Sequence, residues 1–508
     1  MNGDLVIAAD FGTSGVKVGV VDAELRLISQ VVETYPLYLA PGGHAEQVPS
    51  EMWSALVLAI AALHRNLPKL RERAGAIVFC GQACGVICVD KEGNPLRPCL
   101  TWMDKRGAKI SNRLVGGFPN VRGYRIDKGL LWLALANGAP AQNGMDPTAK
   151  ILWIKENEPE VFNKTRWFLD VRDWLVHRAT GVFTTTPESA NLTWIMNTRK
   201  GHEGWSEILS RIAGIPTEKL PPIVQGEDVI DCLTVSAAAE LGLNKNVKLV
   251  GGASDVTAAT LGTGEVEDGA LHISLATSAW IAGFFPSRRV SISHAFATIT
   301  SSLNYRPLLI ASQENAGSAL EWVAKITDAN VESGFSKNGI PQIDDPYFMP
   351  WLAGERVPVD DRNLRGSFHG LALHHDKNAL RRAAMEGVAL NLRWGLEKVR
   401  QVRGVQSKRP LTLVGGVAAN TEFTQLLSDT LNQELHVGAA RHTGVLGAAV
   451  LAAKTMGWAS DACNCAVRLK GRTQAVYYPD PSRATFREDR ARRLNKMRGD
   501  IMRSYKHK

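Results

Sequence analysis

Apolar runs alternate with glycine-rich turns near the N-terminus of the chain. The stretch LVIAADFGTSGVKVGVVDAELRLISQ predicts two antiparallel strands joined by a tight hairpin with GTSG at its tip. Next, SEMWSALVLAIAALHRNL has helical apolar spacing behind a serine cap, and it leads to the apolar strand AIVFCG. This alternation of strands and helices indicates an α/β protein.

The same outline recurs further along the chain. KLVGGASDVTAATLGTG predicts strand, glycine-rich turn and helix, ALHISLATSAWIAGFF predicts a strand pair, and LTLVGGVAANTEFTQLLSDTLN again predicts strand, turn and helix. Recurrence without a fixed residue period favours two duplicated lobes over a solenoid. We place the lobe boundary near Gly264 to Asp268 and predict domains at 1–266, 267–480 and, as a basic C-terminal helix or tail, 481–508.

Length and composition support this organisation. A chain of 508 residues exceeds the size at which single cores stop growing, and 45% hydrophobic with 21% charged residues is typical of globular proteins. We find neither a signal-peptide pattern nor an uninterrupted apolar run of ~18 residues. We therefore expect a cytoplasmic protein without a membrane partner.

The seven cysteines, an odd number, favour reduced thiols over a disulfide framework. Cys80, Cys84 and Cys88 are spaced so that they would face one way on a strand, but their surroundings are apolar and lack histidines. We therefore interpret them as small buried hydrophobes and not as metal ligands.

The net charge of +9 is concentrated at the C-terminus. Residues 483–508 hold ten Lys or Arg and three acidic residues, so the remainder is nearly neutral. Because this segment has few aromatic residues between its basic ones, we expect a solvated or subunit-packing tail, and no nucleic-acid partner.

The segment DFGTSGVK combines several groups that handle phosphate. Gly12 and Gly15 allow close backbone approach, Thr13 and Ser14 supply hydroxyls, Asp10 can hold a hydrated Mg²⁺, and Lys17 can reach phosphate charge. A structural hairpin without a ligand is the alternative for this segment alone.

Two further turns have a similar character. SLATSAW places Thr277 and Ser278 after a strand, and VGGVAAN places Gly415 and Gly416 before a helix. Neither G-x-G-x-x-G nor G-x-x-x-x-G-K-[ST] occurs at these turns, which disfavours a Rossmann dehydrogenase or a P-loop enzyme. The pattern requires another nucleotide-binding fold.

Together, DFGTSGVK, MDPTAKILWIKEN, GGASDVTAAT, SLATSAW, GERVPVDDRNLRGSFHGLAL and LVGGVAAN resemble the FGGY carbohydrate kinases, most closely the xylulokinase branch. The resemblance runs from about Asp10 to about Gly447, and the second signature departs from the pattern at Ala379. It implies two actin-like, ribonuclease-H-like α/β lobes flanking a deep catalytic cleft. Sugar would bind the first lobe and ATP mainly the second, with cleft closure excluding water. It also makes a homodimer a possible assembly.

The resemblance assigns roles to individual residues. Asp255 in GGASDV would be the catalytic base, with a helix N-cap as the alternative. Asp10 would organise Mg²⁺, and Gly12, Thr13, Ser14, Lys17, Thr277, Gly317, Gly416 and Asn420 would surround the nucleotide and its phosphates. For Glu355 and Arg356, a closure role and an internal ion pair stay open.

The predicted sugar wall departs from the xylulokinase pattern. By resemblance it comprises Gln82, Ala83, Cys84, Trp102, Asp104, Asp255 and Val256. Ala83-Cys84 stand where that branch usually has Met-His, and Val256 stands where it usually has Asn. Because an apolar wall tolerates a ligand with fewer hydroxyls, we hypothesise that a deoxy or otherwise modified ketose is a candidate substrate.

The resulting functional prediction is an ATP- and Mg²⁺-dependent sugar kinase, with D-xylulose as substrate and xylulose 5-phosphate as product. Another ketose, a deoxyketose or a polyol is the alternative substrate. An actin-like ATPase and a sugar-sensing pseudokinase are alternatives of other classes, and sugar-stimulated ATP turnover would separate them from the kinase.

Overall fold

The computed structural model describes residues 3–329, 340–438 and 442–505, which form two compact units. Unit 1 comprises the described residues of Met1–Gly264, Ile299–Leu308 and His442–Leu469, and unit 2 comprises those of Glu265–Thr298, Leu309–Arg441 and Lys470–Lys508. Both units are therefore assembled from separated segments. The linear division at 266 and 480 stays a prediction, and the last three residues of the predicted tail lie outside the described residues.

Unit 1 is an α/β unit. Its strands are β1 (Leu5–Phe11), β2 (Gly15–Val21), β3 (Leu27–Thr34), β4 (Tyr38–Ala40), β5 (His44–Gln47), β6 (Ala74–Gly81), β7 (Ile87–Val89), β8 (Cys99–Leu100), β9 (Asn120–Val121), β10 (Tyr124–Arg125), β11 (Trp167–Leu169), β12 (Met196–Asn197), β13 (Gly204–Trp205), β14 (Val229–Cys232) and β15 (Lys248–Ser254). Its helices are α1 (Pro49–Asn66), α2 (Leu70–Arg73), α3 (Ala108–Val115), α4 (Ile126–Ala136), α5 (Pro147–Asn157), α6 (Pro159–Lys164), α7 (Val171–Thr180), α8 (Pro187–Leu192), α9 (Glu207–Ala213), α10 (Val235–Leu241), α11 (Asp255–Thr263) and, from later in the chain, α15 (Thr443–Leu451), α16 (Ala453–Met456) and α17 (Ala462–Ala466).

Unit 2 is built around the second large sheet. The strands of this part of the chain are β16 (His272–Leu275), β17 (Ala279–Phe284), β18 (Val290–Ser291), β19 (Phe296–Thr300), β20 (Pro307–Gln313), β21 (Tyr347–Met349), β22 (Ser367–His369), β23 (Leu411–Val414), β24 (Leu435–Val437) and β25 (Ala475–Tyr477). Its helices are α12 (Gly317–Ile326), α13 (Lys377–Val399), α14 (Thr421–Leu431) and α18 (Ala484–Tyr505).

The two large sheets share one topology. The first has the order β14-β15-β6-β1-β2-β3, and the second contains β25-β24-β23-β16-β17-β20 in matching positions. In both, a hairpin (β1–β2 or β16–β17) is followed across the sheet by two parallel neighbours and then by one antiparallel strand. The predicted duplication of the α/β pattern is therefore confirmed at the level of strand order and direction.

Each unit has its own apolar core. Strand β1 is buried nearly throughout, as expected for a strand whose parallel sheet is covered on both faces. It packs with Val18, Leu56, Phe79 and Leu249 in unit 1. In unit 2, β16 and β23 pack in a separate cluster with α12, α13 and α14. The continuous apolar runs of the sequence are thus the central strands.

Local details differ from the sequence-based expectations. Helix α1 begins at Pro49 behind Val48, without a side-chain cap, so the predicted serine cap is wrong; proline at the first helical position needs no amide partner. The glycine-rich turn predicted before Asp255 is instead a bulge inside β15, where Gly252 has a φ of 82° and the pairing with β6 shifts register.

The three spaced cysteines do not share a strand. Cys80 lies on β6 and Cys88 on β7, both fully buried, whereas Cys84 lies in the intervening loop and is partly exposed. The interpretation as small buried hydrophobes therefore fits Cys80 and Cys88, whereas Cys84 departs from it. All seven cysteines are free thiols, in keeping with the expectation of reduced cysteines.

The basic C-terminal segment forms α18, which packs on unit 2. Arg490 is buried, donates to Glu386 through Nε at 2.9 Å, and stacks 3.9 Å above the ring of Tyr347. Arg498 is buried 4.0 Å above the ring of Trp394. The expectation of a solvated tail is wrong for this helix, because arginine stems and planar guanidinium groups pack well on aromatic rings.

Within the described part of the chain, no helix has the length and apolar character needed to cross a bilayer.

Candidate active site

Three neighbouring parallel strands of unit 1 end beside one another. In the sheet, Asp10 of β1 pairs with Cys80 of β6, and Cys80 pairs with Ala253 of β15. Because carboxyl ends of adjacent parallel strands meet at one edge of a sheet, this edge carries Asp10, Gln82 and Asp255. The structure thus brings together the predicted base, the predicted metal organiser and part of the predicted sugar wall.

Asp255 is the first residue of α11, directly after β15. The N-cap position belongs to Ser254, and Asp255 Oδ1 accepts a hydrogen bond from its neighbour Val256 N at 2.9 Å. Burial raises the pKa of Asp255 to about 7, and the negative charges of Asp10 and Glu188 add to this shift. The N-cap alternative is therefore wrong, and the carboxyl group has a pKa suited to proton exchange near neutrality.

A second buried carboxylate, Glu188 on α8, supports the backbone around Asp255. Its carboxylate accepts hydrogen bonds from Ser254 N, from Thr257 Oγ1 at 2.8 Å and from Ser302 N at 2.8 Å. Burial raises the pKa of Glu188 as well. Glu188 therefore ties the end of β15, the first turn of α11 and the segment Ile299–Leu308 together.

Asp10 lies close to the N-terminus of α15. Its side chain approaches Gly444 so closely that a Cβ at that position would collide with the carboxylate. Burial raises the pKa of Asp10, while the cross-strand partner Lys17 and the thiol of Cys80 act in the opposite direction. A glycine at position 444 is thus required for this helix to approach Asp10.

The predicted phosphate hairpin is closed by a hydrogen bond from Gly12 N to Gly15 O at 2.9 Å. Two polar side chains hold it from outside: Tyr35 Oη donates to Gly12 O at 2.5 Å, and Gln47 Nε2 donates to Thr13 O at 2.7 Å. Gly12 and Ser14 are exposed, Thr13 is partly exposed, and Lys17 is exposed on β2. The hairpin is therefore held in one conformation while its tip faces solvent.

The hairpin is also joined to the predicted sugar wall. Trp102 Nε1 donates to Thr13 Oγ1 at 2.9 Å, and Gln82 Nε2 donates to Gln47 Oε1 at 2.8 Å. The amide oxygen of Gln82, Oε1, is buried and has no hydrogen-bond partner among the described residues. A buried acceptor in this state suits a ligand hydroxyl.

Asp104 has a structural role in this structure. It is fully buried, and its carboxylate accepts from Ala45 N at 3.0 Å and from Arg106 Nε at 2.9 Å. These bonds anchor the loop that carries Trp102. Sugar contact by Asp104 stays a prediction, whereas Ala83, Cys84 and Val256 are partly exposed and available to line a site.

Four of the predicted nucleotide residues lie in unit 2, namely Thr277, Gly317, Gly416 and Asn420, whereas those of the hairpin belong to unit 1. Gly317 N donates to Ala276 O at 2.9 Å and Ser318 N donates to Thr277 O at 3.0 Å, so the start of α12 rests against the turn after β16. The side chain of Val417, which belongs to the VGGVAAN loop after β23, lies beside Gly317. The structure therefore brings Thr277, Gly317 and the loop containing Gly416 together.

The VGGVAAN loop after β23 contains a backbone conformation that favours glycine. Gly415 has a φ of 102°, a conformation that favours glycine, and exposed Gly416 begins a 3-10 turn. Asn420 caps α14 by accepting from Phe423 N at 2.9 Å. Asn420 thus has a structural function, and its contact with nucleotide stays a prediction.

The side chains of Glu355 and Arg356 do not form an ion pair with each other. Arg356 Nε donates to Glu314 at 2.6 Å, whereas buried Glu355 accepts from Glu314 N at 2.8 Å and from Asn391 Nδ2 at 2.6 Å. Burial raises the pKa of Glu355 to about 7. Both residues therefore hold the loop around residue 314.

Sequence reasoning did not find four polar residues that shape this region: Gln47, Lys150, Asp170 and Glu188. All are buried, and their partners are distant in sequence. A polar residue inside an apolar stretch, such as Lys150 in TAKILWI, was the available signal.

Comparison with known proteins agrees with this geometry. Residues 5–262 match the N-terminal domain, and residues 296–456 match the C-terminal domain, of the FGGY family of carbohydrate kinases. The chain belongs to this family. It is an ATP-dependent carbohydrate kinase, an enzyme that transfers a phosphoryl group to an alcohol.

Individual relatives carry more than one substrate name. The chain is 27% identical to the xylulose kinase of Bacillus subtilis over 479 residues, covering 93% of this chain and 92% of that protein. It is 25% identical to the gluconokinase of the same organism over 462 residues, covering 88% and 86%. A crystal structure described as a "xyloylose kinase" from Brucella ovis matches with a TM-score of 0.87 and 26% identity, covering 98% and 99%.

Proposed function

We propose that this enzyme phosphorylates a ketopentose, with D-xylulose as the first candidate and xylulose 5-phosphate as the product. The observation that carries the proposal is the sheet edge formed by Asp10, Gln82 and Asp255. It combines the carboxyl group of Asp255, whose pKa is raised to about 7, with the buried amide oxygen of Gln82, which has no hydrogen-bond partner among the described residues. Similarity to the Bacillus subtilis xylulose kinase supports this substrate class.

In the proposed reaction, Asp255 accepts the proton of the sugar hydroxyl. The hydroxyl oxygen forms a bond to the γ-phosphorus of ATP while the bond from that phosphorus to the bridging oxygen breaks, and ADP leaves. Phosphoryl transfer demands mainly positioning and electrostatic stabilisation from the protein. Gln82 Oε1 is the proposed acceptor from a sugar hydroxyl, and the ring of Trp102 offers a stacking surface.

The surroundings of Asp10 fit a hydrated Mg²⁺. Its carboxylate is one of several buried anions, since Asp10 and Glu188 both raise the pKa of Asp255, and a divalent cation would offset their repulsion. When bound, Mg²⁺ would neutralise phosphate charge. Asp10 would hold its water ligands, while Thr13, Ser14 and Lys17 would face the transferred phosphate.

The nucleotide is proposed to bind the loops of unit 2. The exposed turn at Thr277, the first turn of α12 at Gly317 and the 3-10 turn at Gly416 offer backbone groups and little side-chain bulk. Asn420 completes this proposed set at the cap of α14. Small residues here allow a ribose or phosphate to approach the main chain.

The composition of the sugar wall motivates a narrower hypothesis. Ala83, Cys84 and Val256 are partly exposed and present few hydrogen-bonding groups. A site that binds a hydroxyl strongly penalises its absence, whereas an apolar wall does not. A deoxyketose, another ketose or a polyol is therefore the alternative substrate, and gluconate joins the panel because a relative is named for it.

The test is ATP consumption in a coupled assay with D-xylulose, other pentuloses, deoxyketoses, polyols and gluconate. We compare wild type with Asp255→Asn and with the control Asp231→Asn, because Asp231 also accepts from its following amide but is exposed. Xylulose-dependent turnover that only Asp255→Asn abolishes is the expected result. A deoxyketose or gluconate with the highest kcat/KM would reassign the substrate.

The same assay distinguishes the kinase from the two alternative functions, an actin-like ATPase and a sugar-sensing pseudokinase. ATP hydrolysis without sugar stimulation would indicate an actin-like ATPase, and sugar binding without turnover would indicate a sensing pseudokinase. The presence of both Asp10 and Asp255 at one sheet edge favours the active enzyme.

The chemistry of the cysteines bears on the compartment in which the enzyme works. Seven free thiols suit a reducing compartment, so we propose the cytoplasm. A homodimer is proposed by analogy with the family, and the sedimentation velocity of the purified protein tests it.

A further inference from the structure

One peptide group in the proposed sugar wall is held from both ends by buried charged side chains. The carbonyl oxygen of Cys84 accepts a hydrogen bond from Lys150 Nζ at 2.6 Å. The amide of Gly85, which belongs to the same peptide group, donates to Asp170 Oδ1 at 2.9 Å. We call this arrangement of Lys150, the Cys84–Gly85 peptide and Asp170 the peptide clamp.

Cys84 has a backbone conformation that needs support. Its φ is 65°, in the left-handed region that residues with a Cβ rarely adopt. Such a conformation is unfavourable for a residue with a Cβ, and it persists where the surroundings determine it. The direction of the Cys84 side chain, and with it the shape of the wall, therefore depends on what fixes this turn.

Lys150 is an unusual group for a purely structural task. It lies in the first half of α5, is fully buried, and also donates to Met145 O at 2.5 Å. Burial lowers its pKa, because an ammonium group is costly to remove from water. Of its two carbonyl acceptors, Met145 is near in sequence, whereas Cys84 belongs to the distant wall.

Asp170 connects the clamp to the sheet edge that carries Asp10, Gln82 and Asp255. Its Oδ1 also accepts from Val171 N at 2.8 Å, and its Oδ2 accepts from Ser189 Oγ at 3.0 Å, next to Glu188. A Cβ at Gly85 would lie only 3.0 Å from Asp170 Oδ1, so glycine permits this close approach. The charge of Asp170 also contributes to the raised pKa of Asp255.

We propose that Lys150 and Asp170 are positioning residues for sugar recognition, which hold the Cys84–Gly85 peptide and thereby fix the wall that selects the sugar. This inference rests on the proposed function, since it assumes that Cys84 faces the sugar. The clamp acts through the backbone, so it determines specificity without touching substrate.

The first experiment compares steady-state kinetics of Lys150→Met and wild type. Methionine keeps the length of the side chain but cannot donate, so the expected result is a rise of roughly tenfold in the sugar KM with the ATP KM within about twofold. Lys150→Gln, which retains a donor, should recover part of the loss. The matched control is Lys155→Met, because Lys155 lies on the same helix and donates to Gly214 O at 2.8 Å but is exposed.

The second readout is independent of activity: the rate of hydrogen–deuterium exchange at the Gly85 amide. We expect faster exchange in Lys150→Met and an unchanged rate in Lys155→Met. Faster exchange with an unchanged sugar KM would overturn the role in recognition, and unchanged exchange would overturn the clamp itself. Equal rises in both KM values with a lower Tm would mean a structural role alone and would also overturn the proposal.

Failure of the proposed function has a different signature. A wild-type enzyme that turns over no sugar contradicts the kinase assignment of this site, and recognition by the clamp is then overturned with it. The Gly85 exchange rates still decide whether the clamp holds the peptide.

Discussion

The indole Nε1 of Trp102 donates a hydrogen bond to Thr13 Oγ1 at 2.9 Å, so a residue of the proposed sugar wall is tied to the tip of the phosphate hairpin. A substitution at the hairpin tip is therefore expected to change the kcat/KM for sugar. Replacing Thr13 with valine keeps the shape but removes the acceptor and leaves a partly buried donor unpaired.

For Thr13→Val, we predict a fall of roughly tenfold in kcat/KM for sugar, since an unpaired donor costs about 1 to 3 kcal/mol. The measurement is steady-state kinetics with sugar varied at saturating ATP. Thr13→Ser retains the hydroxyl and should stay close to wild type. Equal losses in the two variants would refute a role for the Trp102 hydrogen bond.

The raised pKa of Asp255 predicts the pH dependence of the reaction. A general base must be deprotonated, and burial raises the pKa of this carboxyl to about 7. The kcat/KM for sugar should therefore rise with pH, about tenfold per unit, until it levels off near pH 7. A profile that is flat between pH 5 and 8 would argue against Asp255 as the base, and Asp231→Asn should share the wild-type profile.

The same shift predicts that Asp255→Asn stabilises the protein. Because the folded pKa lies above the unfolded one, the folded state binds more protons between about pH 4 and 7, so stability falls as pH rises through this window. Removing the charge should raise the free energy of unfolding by about 1 to 2 kcal/mol at pH 8, with the gain shrinking toward pH 4. Thermal melts of both proteins across pH test this, and a lower Tm for the variant at pH 8 would contradict it.

Gly444 is predicted to be required for metal-dependent catalysis. An alanine Cβ there would collide with the Asp10 carboxylate and displace either Asp10 or the first turn of α15. We expect Gly444→Ala to raise the Mg²⁺ concentration needed for half-maximal activity and to lower kcat. Gly499→Ala is the control, because a Cβ on that helix position meets open space. An unchanged Mg²⁺ requirement would weaken the proposed role of Asp10.

The packing of α18 predicts a large effect on stability. Arg490→Ala would leave Glu386 as a buried, unpaired carboxylate, which typically costs about 3 to 5 kcal/mol. The exposed neighbour Arg492 provides the control, whose replacement by alanine should change the free energy of unfolding by less than about 0.5 kcal/mol. Urea denaturation of the two variants measures both, and similar values would mean that the buried pair contributes little.

The sequence was sufficient for central strands such as β1 and β6, for the first hairpin tip and for the position of Asp255 at a strand–helix junction, although the opening stretch predicted as two strands also includes the start of β3. Those features depend on local pattern: apolar runs such as β1, glycines in tight turns, and parallel strands whose ends must meet at one edge. They also depend on motifs of high specificity, which made the family recognisable before the fold was known.

The features that sequence reasoning missed are long-range. Glu188 and Asp170 reach the sheet edge that carries Asp10 and Asp255 only after folding, so their spacing in the chain carries no signal. The buried faces of α18 were missed because arginine counts as polar in a pattern, although its stem and planar head pack on aromatic rings. The bulge at Gly252 was read as a turn because both use glycine.

The assembly of unit 1 from three chain segments affects the order in which the protein can be made. During synthesis Asp10 leaves the ribosome well before α15, which packs against β1, β6 and α11 and is complete only at residue 451. Domains generally fold as units once their chain is available. The part of unit 1 that is translated first therefore keeps the face that later receives α15 uncovered until residue 451 has been translated. Dividing this gene at the predicted lobe boundary, near Gly264 to Asp268, would separate Asp10 and Asp255, the proposed catalytic carboxylates, from the helix that carries Gly444.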